Sequence, residues 1–393
     1  MTSTGCGVLG FVEATPTPDV GNVVLDRFLD RAPSRTRELS TPTPVAGTVF
    51  IPSGLPLPLT DPLNVGGDLL ITGSQVLGPL TRLMYNDFVI AGYRDEIRIE
   101  EIGSTDGFQR YCSNAPLVPD GADIVMADRS ISQAELELCL RNGRTPIALR
   151  VGLDAVAIVA NKNIEFIRGV SKRELASILT AQRWSDVRHS WPNVEIIQIV
   201  PKPERQIFSF FASKILGSNA FSLENASLDT FREDGTEIAL AISDTPYAIG
   251  FLNFKDYVNN VDRLHLLAVD GRIPDGVTVS KGTYPLSYPL LLYTDRETLE
   301  AKAEVGDFLL YYLDNVNKVA MTVGNFPLSE SFFERTKIVL LTALRQDDYL
   351  ALFPPTNTPL PPPTMTSVNL PTPAPVITAS VTLTLTADAR SSE

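Results

Sequence analysis

Three stretches between residues 68 and 143 decide the fold: Asp68–Leu80 (DLLITGSQVLGPL), Glu96–Cys112 (EIRIEEIGSTDGFQRYC) and Ala122–Gly143 (ADIVMADRSISQAELELCLRNG). Each starts as an apolar or alternating run, breaks at a polar turn, and resumes with helical spacing. In the first, Asp68–Thr72 reads as a strand ended by Gly73-Ser74. Pro79 then opens a helix with Leu80, Leu83, Met84 and Phe88 on one face. Proline suits a first helical turn, where its missing N–H would have no partner anyway. In the second, Glu96–Ile102 alternates as a strand, Gly103–Gly107 turns, and FQRYC starts a helix. In the third, Ala122–Met126 is a strand and Ala127–Ser130 a turn. Ser132 and Glu135 then have the spacing of a capping box, on a helix that stops at Gly143. Strand, turn and helix in repetition predict an α/β layered fold with a largely parallel sheet.

Outward from this region, strands are expected at Asp154–Ala160, Glu195–Val200, Ala248–Phe254 and Leu290–Thr294. Helices are expected at Ser171–Leu179, at Ile207–Leu216 and over 299–313, the last with Phe308, Leu309 and Tyr312 toward a core. The aromatic runs Phe208–Phe211, Tyr311-Tyr312 and Phe332-Phe333 read as core contacts, and Gly21–Arg31 as a short helical turn. No solenoid-length repeat is present. Of the 30 prolines in 393 residues, nine fall in 1–66, nine in 350–393 and only twelve between. Segments 33–66 and 353–378 therefore read as polyproline-type spacers that form no packed core. The middle is long enough to bury a large interior.

Composition excludes several function classes. A net charge of −13 disfavours contacts to a nucleic-acid backbone. Two histidines (His189 and His265) and three cysteines are too few for a Cys/His zinc site. No apolar run approaches the ~18 residues of a membrane-spanning helix. The start, MTSTGCG, lacks a signal-type apolar stretch, which taken literally means cytoplasmic. Thr4-Gly5-Cys6 nevertheless has the form of the end of a lipoprotein cleavage site; the bland alternative is an ordinary exposed cysteine. Cys112 and Cys139 could pair, or be buried free thiols.

The turns after the first three strands share one geometry: Gly73-Ser74-Gln75, Gly103–Gly107 and Ala127–Ser130. In a parallel sheet such turns gather at the carboxyl edge, where ligands bind. Helix N-termini there present unpaired N–H groups and partial positive charge, which suit an oxyanion. Hydroxyls of Ser74, Ser104 and Thr105 can add hydrogen bonds, and Arg129 a planar bidentate contact. Asp128 repels a fully ionised anion but can accept from a protonated one, so it favours monohydrogen phosphate over sulfate. One Gly-Ser turn is ordinarily only a turn, and Ser or Asp there can simply cap a helix; three in series weaken that reading. No GxxxxGK[ST] or strand-linked GxGxxG motif is present.

These residues carry a resemblance. ITGSQVLGPL, EIGSTDGFQRYC and ADIVMADRSIS, with VGLDAVAIVANKN, SKRELASIL, WSDVRHSWPN, FSFFASKILG, YAIGFLNF, GTYPLSYPLLLYT and VGNFPLSE after them, resemble the phosphate-binding proteins of bacterial ABC importers. The likeness spans roughly residues 67–335. It implies a two-lobed α/β fold of the periplasmic-binding-protein type, with one lobe from 67–154 plus 266–340 and the other from 155–265. The chain would cross between lobes near Asp154–Val159 and Ile249–Leu252. Phosphate would sit in the cleft, held by hydrogen bonds and enclosed by hinge closure. The liganded monomer would dock on a membrane permease, without catalysis and without a cofactor or metal. The resemblance also implies an extracytoplasmic, lipid-anchored protein with a Cys112–Cys139 disulfide and Cys6 as the lipidated residue. The N-terminal 1–66 would be a tether, and the Pro/Thr-rich 350–393 a disordered tail.

The ligand set it implies departs from the family pattern. Ser74, Gln75, Ser104, Asp106, Gly107, Asp128 and Arg129 stand at matching loop positions, but Val76 replaces a hydroxyl residue. Arg205, Gln206 and Ile207 replace a Ser-Gly-Thr cradle. Arg205 has three possible fates: reaching the ligand, pairing with Asp106 or Asp128 across an empty cleft, or facing solvent. Two function classes follow. One is a solute-binding protein for phosphate or a related oxyanion. The other is a degenerate surface module, acting in protein or envelope contacts, that no longer binds phosphate. An enzyme using Asp128, Asp106 and His189 lacks any nucleophile–base spacing, and His189 falls in an expected surface loop.

Overall fold

The computed structural model describes residues 54–118, 121–217 and 231–353. All belong to one compact unit; a second, 40–50 with 357–393, lies outside the described residues. Cys6, the turn expected at 21–31, and the Pro-rich stretches up to residue 53 and from residue 354 also lie outside them.

The strands are β1 (Leu69–Gly73), β2 (Ile97–Glu100), β3 (Ile124–Ala127), β4 (Ile147–Asn161), β5 (Gly169–Val170), β6 (Ile197–Pro201), β7 (Phe231–Arg232), β8 (Ala248–Asn253), β9 (Leu264–Val269) and β10 (Ser287–Thr294). They run in the order β2-β1-β3-β10-β4-β8-β6-β7, with β9 also on β4 and β5 on β9. The sheet is mixed. β1 is parallel to β2 and β3, β6 to β7 and β8, and β5 to β9. β10 runs antiparallel to β3 and β4, and β4 antiparallel to β8 and β9. The parallel expectation holds where strand and helix alternate. It stops at β10, whose return is set by contacts more than a hundred residues away.

β4 joins the two halves of the two-lobed α/β fold. Its residues Ile147–Ala155 pair with β10, and Val156–Ala160 pair with β8. From Ala148 to Asn161 every residue is buried, which explains the continuous apolar run. The strand starts seven residues before the expected Asp154. The buried core is continuous through both halves, including Phe88, Val151, Phe211, Phe251 and Phe308.

Local signals behave as their chemistry dictates. The capping boxes at Ser132/Glu135 and Ser171/Glu174 are both formed. Cys112 and Cys139 form a disulfide. The helix expected over 299–313 is two, Arg296–Ala301 and Ala303–Val319, parted at Lys302. The Lys302 ammonium leaves the helix line to donate to Asp123 Oδ2 at 2.7 Å. The expected spacer corrects itself from Gly54 onward. Leu55 is buried, its N–H donates to Glu334 Oε2 at 2.9 Å, and Lys337 Nζ donates to its carbonyl at 2.8 Å. Proline-rich chain can therefore pack here, because side chains of a neighbouring helix satisfy its backbone. Among the described residues no helix is long and apolar enough to cross a membrane. His189 is exposed, while Trp184 and Trp191 pack on Phe166.

Candidate functional site

The turns after β1, β2 and β3 meet. Gly73 makes this possible: its φ is 128°, and a Cβ there would lie 2.0 Å from the Met126 carbonyl oxygen. Gly107 is needed for the same reason, since a Cβ would sit 2.7 Å from Gly73 Cα. The Gly103 N–H donates to Gly73 O at 2.8 Å, and the Ser74 N–H to Met126 O at 2.8 Å. The helix Ser104–Cys112 thus starts against the ends of β1 and β3. Its cap, Gly103, has no side chain to bond the first N–H groups, so those of Ser104, Thr105 and Asp106 keep their donor capacity.

Asp128 is central. It is 7% exposed, and Ser104 Oγ donates to its Oδ1 at 2.6 Å. The Asp128 N–H donates back to Ser104 Oγ at 3.2 Å. Burial pushes its carboxyl pKa up, against hydrogen bonds from Ser104 and Ser74 and the Arg129 charge, which pull it down. Ser74 is itself buried, and its Oγ accepts from the Val76 N–H at 3.1 Å. The cluster brings two hydroxyls and one carboxylate together at the first residue of the helix Ser104–Cys112.

Arg129 is committed elsewhere. Its two terminal nitrogens donate to Glu135 at 2.8 and 2.7 Å, and Nη2 donates to Thr105 Oγ1 at 3.0 Å. Its guanidinium also lies 5.4 Å from the Phe108 ring centroid. Glu135 raises the Arg129 pKa. For Glu135 itself, burial alone would raise the pKa, but bonds from Arg129 and the Ser132 N–H outweigh it and hold it low. Arg129 therefore braces the turn after β3 to the first turn of Ser104–Cys112. The sequence showed Glu135 as a cap; that it also clamps Arg129 needed the fold. Gln75 and Asp106 are exposed, and Gln75 Nε2 donates to Glu101 O at 3.3 Å. Val76 packs on the core edge.

Arg205 and Gln206 are not with this cluster. Arg205 caps the helix Gln206–Ile215 without a side-chain cap bond and lines a recess at the ends of β6 and β8. Glu233, Asp234, Asn253 and Asp256 line the same recess. Among the described residues no ion pair joins Arg205 to Asp106 or Asp128. The charge acting on it comes from Glu233 and Asp256. Gln206 is half-buried at the head of its helix. Burial raises the Asp256 pKa, with Lys255 and Arg205 opposing.

Sequence reading missed a link between these two regions. Asp154 on β4, Tyr288 on β10 and Asn253 on β8 form a chain, the first two buried and Asn253 half-buried. Tyr288 Oη lies 2.8 Å from Asp154 Oδ2 and 2.9 Å from Asn253 Oδ1. A charged residue heading an otherwise apolar run was the available signal.

Comparison with known proteins gives this arrangement a lineage. A family model described as the PBP superfamily domain matches residues 40–316. The chain belongs to the PBP superfamily. Among relatives of this superfamily member, SphX of Synechocystis sp. is 28% identical over 289 residues, covering 70% of this chain and 83% of that protein. The phosphate-binding protein PstS of Staphylococcus epidermidis is 24% identical over 260 residues, covering 64% and 76%. A crystal structure of a possible phosphate binding protein from Planctomyces limnophilus superposes with a TM-score of 0.56 at 22% identity, over 72% of this chain and all of that one. The PBP chain thus resembles phosphate-binding proteins in sequence and shares their fold.

Proposed function

We propose that this protein is the solute-binding component of an ABC importer, capturing phosphate or a related oxyanion between two lobes and delivering it to a membrane permease. The observation behind the reading is the Ser74–Ser104–Asp128 cluster at the uncapped N-terminus of Ser104–Cys112. Helix N–H groups supply donors, the Ser74 and Ser104 hydroxyls can turn from Asp128 toward the anion, and the carboxylate accepts from a protonated anion oxygen, which sulfate lacks near neutral pH. The likeness to the phosphate-binding protein PstS supports the same reading. The lobes are 67–154 with 266–340, and 155–265, hinged where β4 exchanges β10 for β8. We further propose an extracytoplasmic monomer anchored through a lipid on Cys6, acting without catalysis. Arg205 and the N-terminus of Gln206–Ile215 are the second wall, meeting the anion with a guanidinium and backbone N–H groups in place of hydroxyls. Titration calorimetry with phosphate, arsenate and sulfate tests this: the first two are expected to bind and sulfate not, and no heat from any oxyanion would refute it.

A second reading is favoured by one observation: three carboxylates, Glu233, Asp234 and Asp256, share the recess of Arg205. In this reading the acidic wall no longer closes on phosphate, and the domain acts by contact with a protein or envelope partner. The same titration separates the two.

A further inference from the structure

At the joint of the sheet, β4 is bonded to β10 up to Ala155 and to β8 from Val156. Asp154, one residue before the exchange, is 1% exposed. Its Oδ1 accepts from the Ala155 N–H at 2.7 Å, and its other oxygen faces Tyr288 Oη. The phenol has one proton and two oxygen neighbours, Asp154 Oδ2 and Asn253 Oδ1. If Tyr288 donates to Asn253, the contact with Asp154 needs a proton on the carboxyl. If Tyr288 donates to an ionised Asp154, the Asn253 amide must turn so that its NH₂ donates to the phenol. Each arrangement is complete; they differ by one proton. Because Asp154 and Asn253 sit on opposite sides of the strand exchange, the proton lies where the two halves join.

We propose that Asp154, Tyr288 and Asn253 form a proton-holding joint between the halves of the sheet, and that an anion beside Asp128 is bound more tightly when the joint carries its proton. The coupling half of this statement rests on the oxyanion reading above. The groups facing Asp154 are Tyr288, hydrogen-bonded to it, and Asp256 and Asp128, whose negative charges act on it from opposite halves. Asp128 and Asp256 act on Tyr288 as well. Burial, helped by those two charges and opposed by the bonds from Ala155 and Tyr288, brings the Asp154 carboxyl pKa to about 7. Above that pH an ionised Asp154 adds negative charge beside Asp128, and a bound oxyanion must either work against it or draw a proton in.

Infrared difference titration of the ligand-free full chain reads the joint directly. A protonated-carboxyl C=O band is expected to vanish near neutral pH in the wild type, to be missing in Asp154→Asn, and to persist to higher pH in Tyr288→Phe, where the carboxylate loses its donor. A titration unchanged in either variant would overturn the joint. Asn at 154 reproduces the protonated network, with its NH₂ donating to Tyr288, so the variant retains the bonds of the protonated form. For the coupling, phosphate affinities of wild type and Asp154→Asn are compared about one pH unit below and one above the midpoint. The anion's own titration is common to both proteins. The wild type is expected to weaken by up to about tenfold relative to the variant at the higher pH. A constant ratio refutes the coupling. Loss of phosphate binding by both proteins at both pH values refutes the oxyanion reading, while the infrared result still decides the joint.

Discussion

Ser104→Ala tests how the site holds a buried carboxylate. Ser104 Oγ is 2.6 Å from Asp128 Oδ1 and also accepts from the Asp128 N–H. The alanine removes a hydrogen bond to a charged, 7% exposed group, a contact of about 1.5–3 kcal/mol. Because that bond favours the ionised form, its loss raises the Asp128 pKa further. The sign follows from linkage. A carboxyl whose folded pKa is raised binds more protons folded than unfolded, so stability is highest at low pH and falls as pH rises from the unfolded value through the folded pKa. Burial already puts Asp128 in this class, and Ser104→Ala moves the upper end of the window higher. The variant should therefore cost more near neutral pH than near pH ~4, by roughly the value of the lost charged bond. Urea unfolding at the two pH values measures this, and repeating the pair in an Asp128→Asn background should remove the pH-dependent part. An equal cost at both pH values, or the same pH-dependent cost in the Asn background, would refute the reasoning.

Replacing Cys112 and Cys139 by serine opens a cross-link of sequence separation 27; on the chain-entropy model this costs about 3.5 kcal/mol, measurable as a reductant-sensitive fall in Tm of the wild type. Gly107→Ala places a methyl 2.7 Å from Gly73 Cα, a backbone atom that cannot rotate away; a loss of about 1–3 kcal/mol in unfolding free energy is expected, with weakened oxyanion binding in titrations. Arg205→Gln should weaken phosphate about tenfold or more in equilibrium dialysis if Arg205 faces the ligand on closure. An unchanged affinity would instead favour the second reading.

Much of this was written locally in the chain. The three strand–turn–helix units were legible because apolar runs, glycines and the Ser132/Glu135 cap each act within a few residues. The meeting of Ser74, Ser104 and Asp128 followed from the parallel order of β1, β2 and β3. What escaped the sequence depends on distant partners. The bonding of both terminal nitrogens of Arg129 to Glu135, in the first turn of the next helix, was not legible. The start of β4 at Ile147 lies before the apolar run because β10, far along the chain, pairs with it. Leu55 looked like spacer because only the helix Glu330–Ala343 gives it backbone partners and a buried site. Arg205 could have met any of several acids; the fold places it in a recess with Glu233, Asp234 and Asp256.

A crystal structure of the protein grown with phosphate is the most direct test of the central claim. One phosphate is expected between the lobes, hydrogen-bonded to the hydroxyls of Ser74 and Ser104 and the first N–H groups of Ser104–Cys112, with a protonated oxygen donating to Asp128. A phosphate bound away from Ser104 and Asp128, or a cleft empty at saturating phosphate, would contradict it.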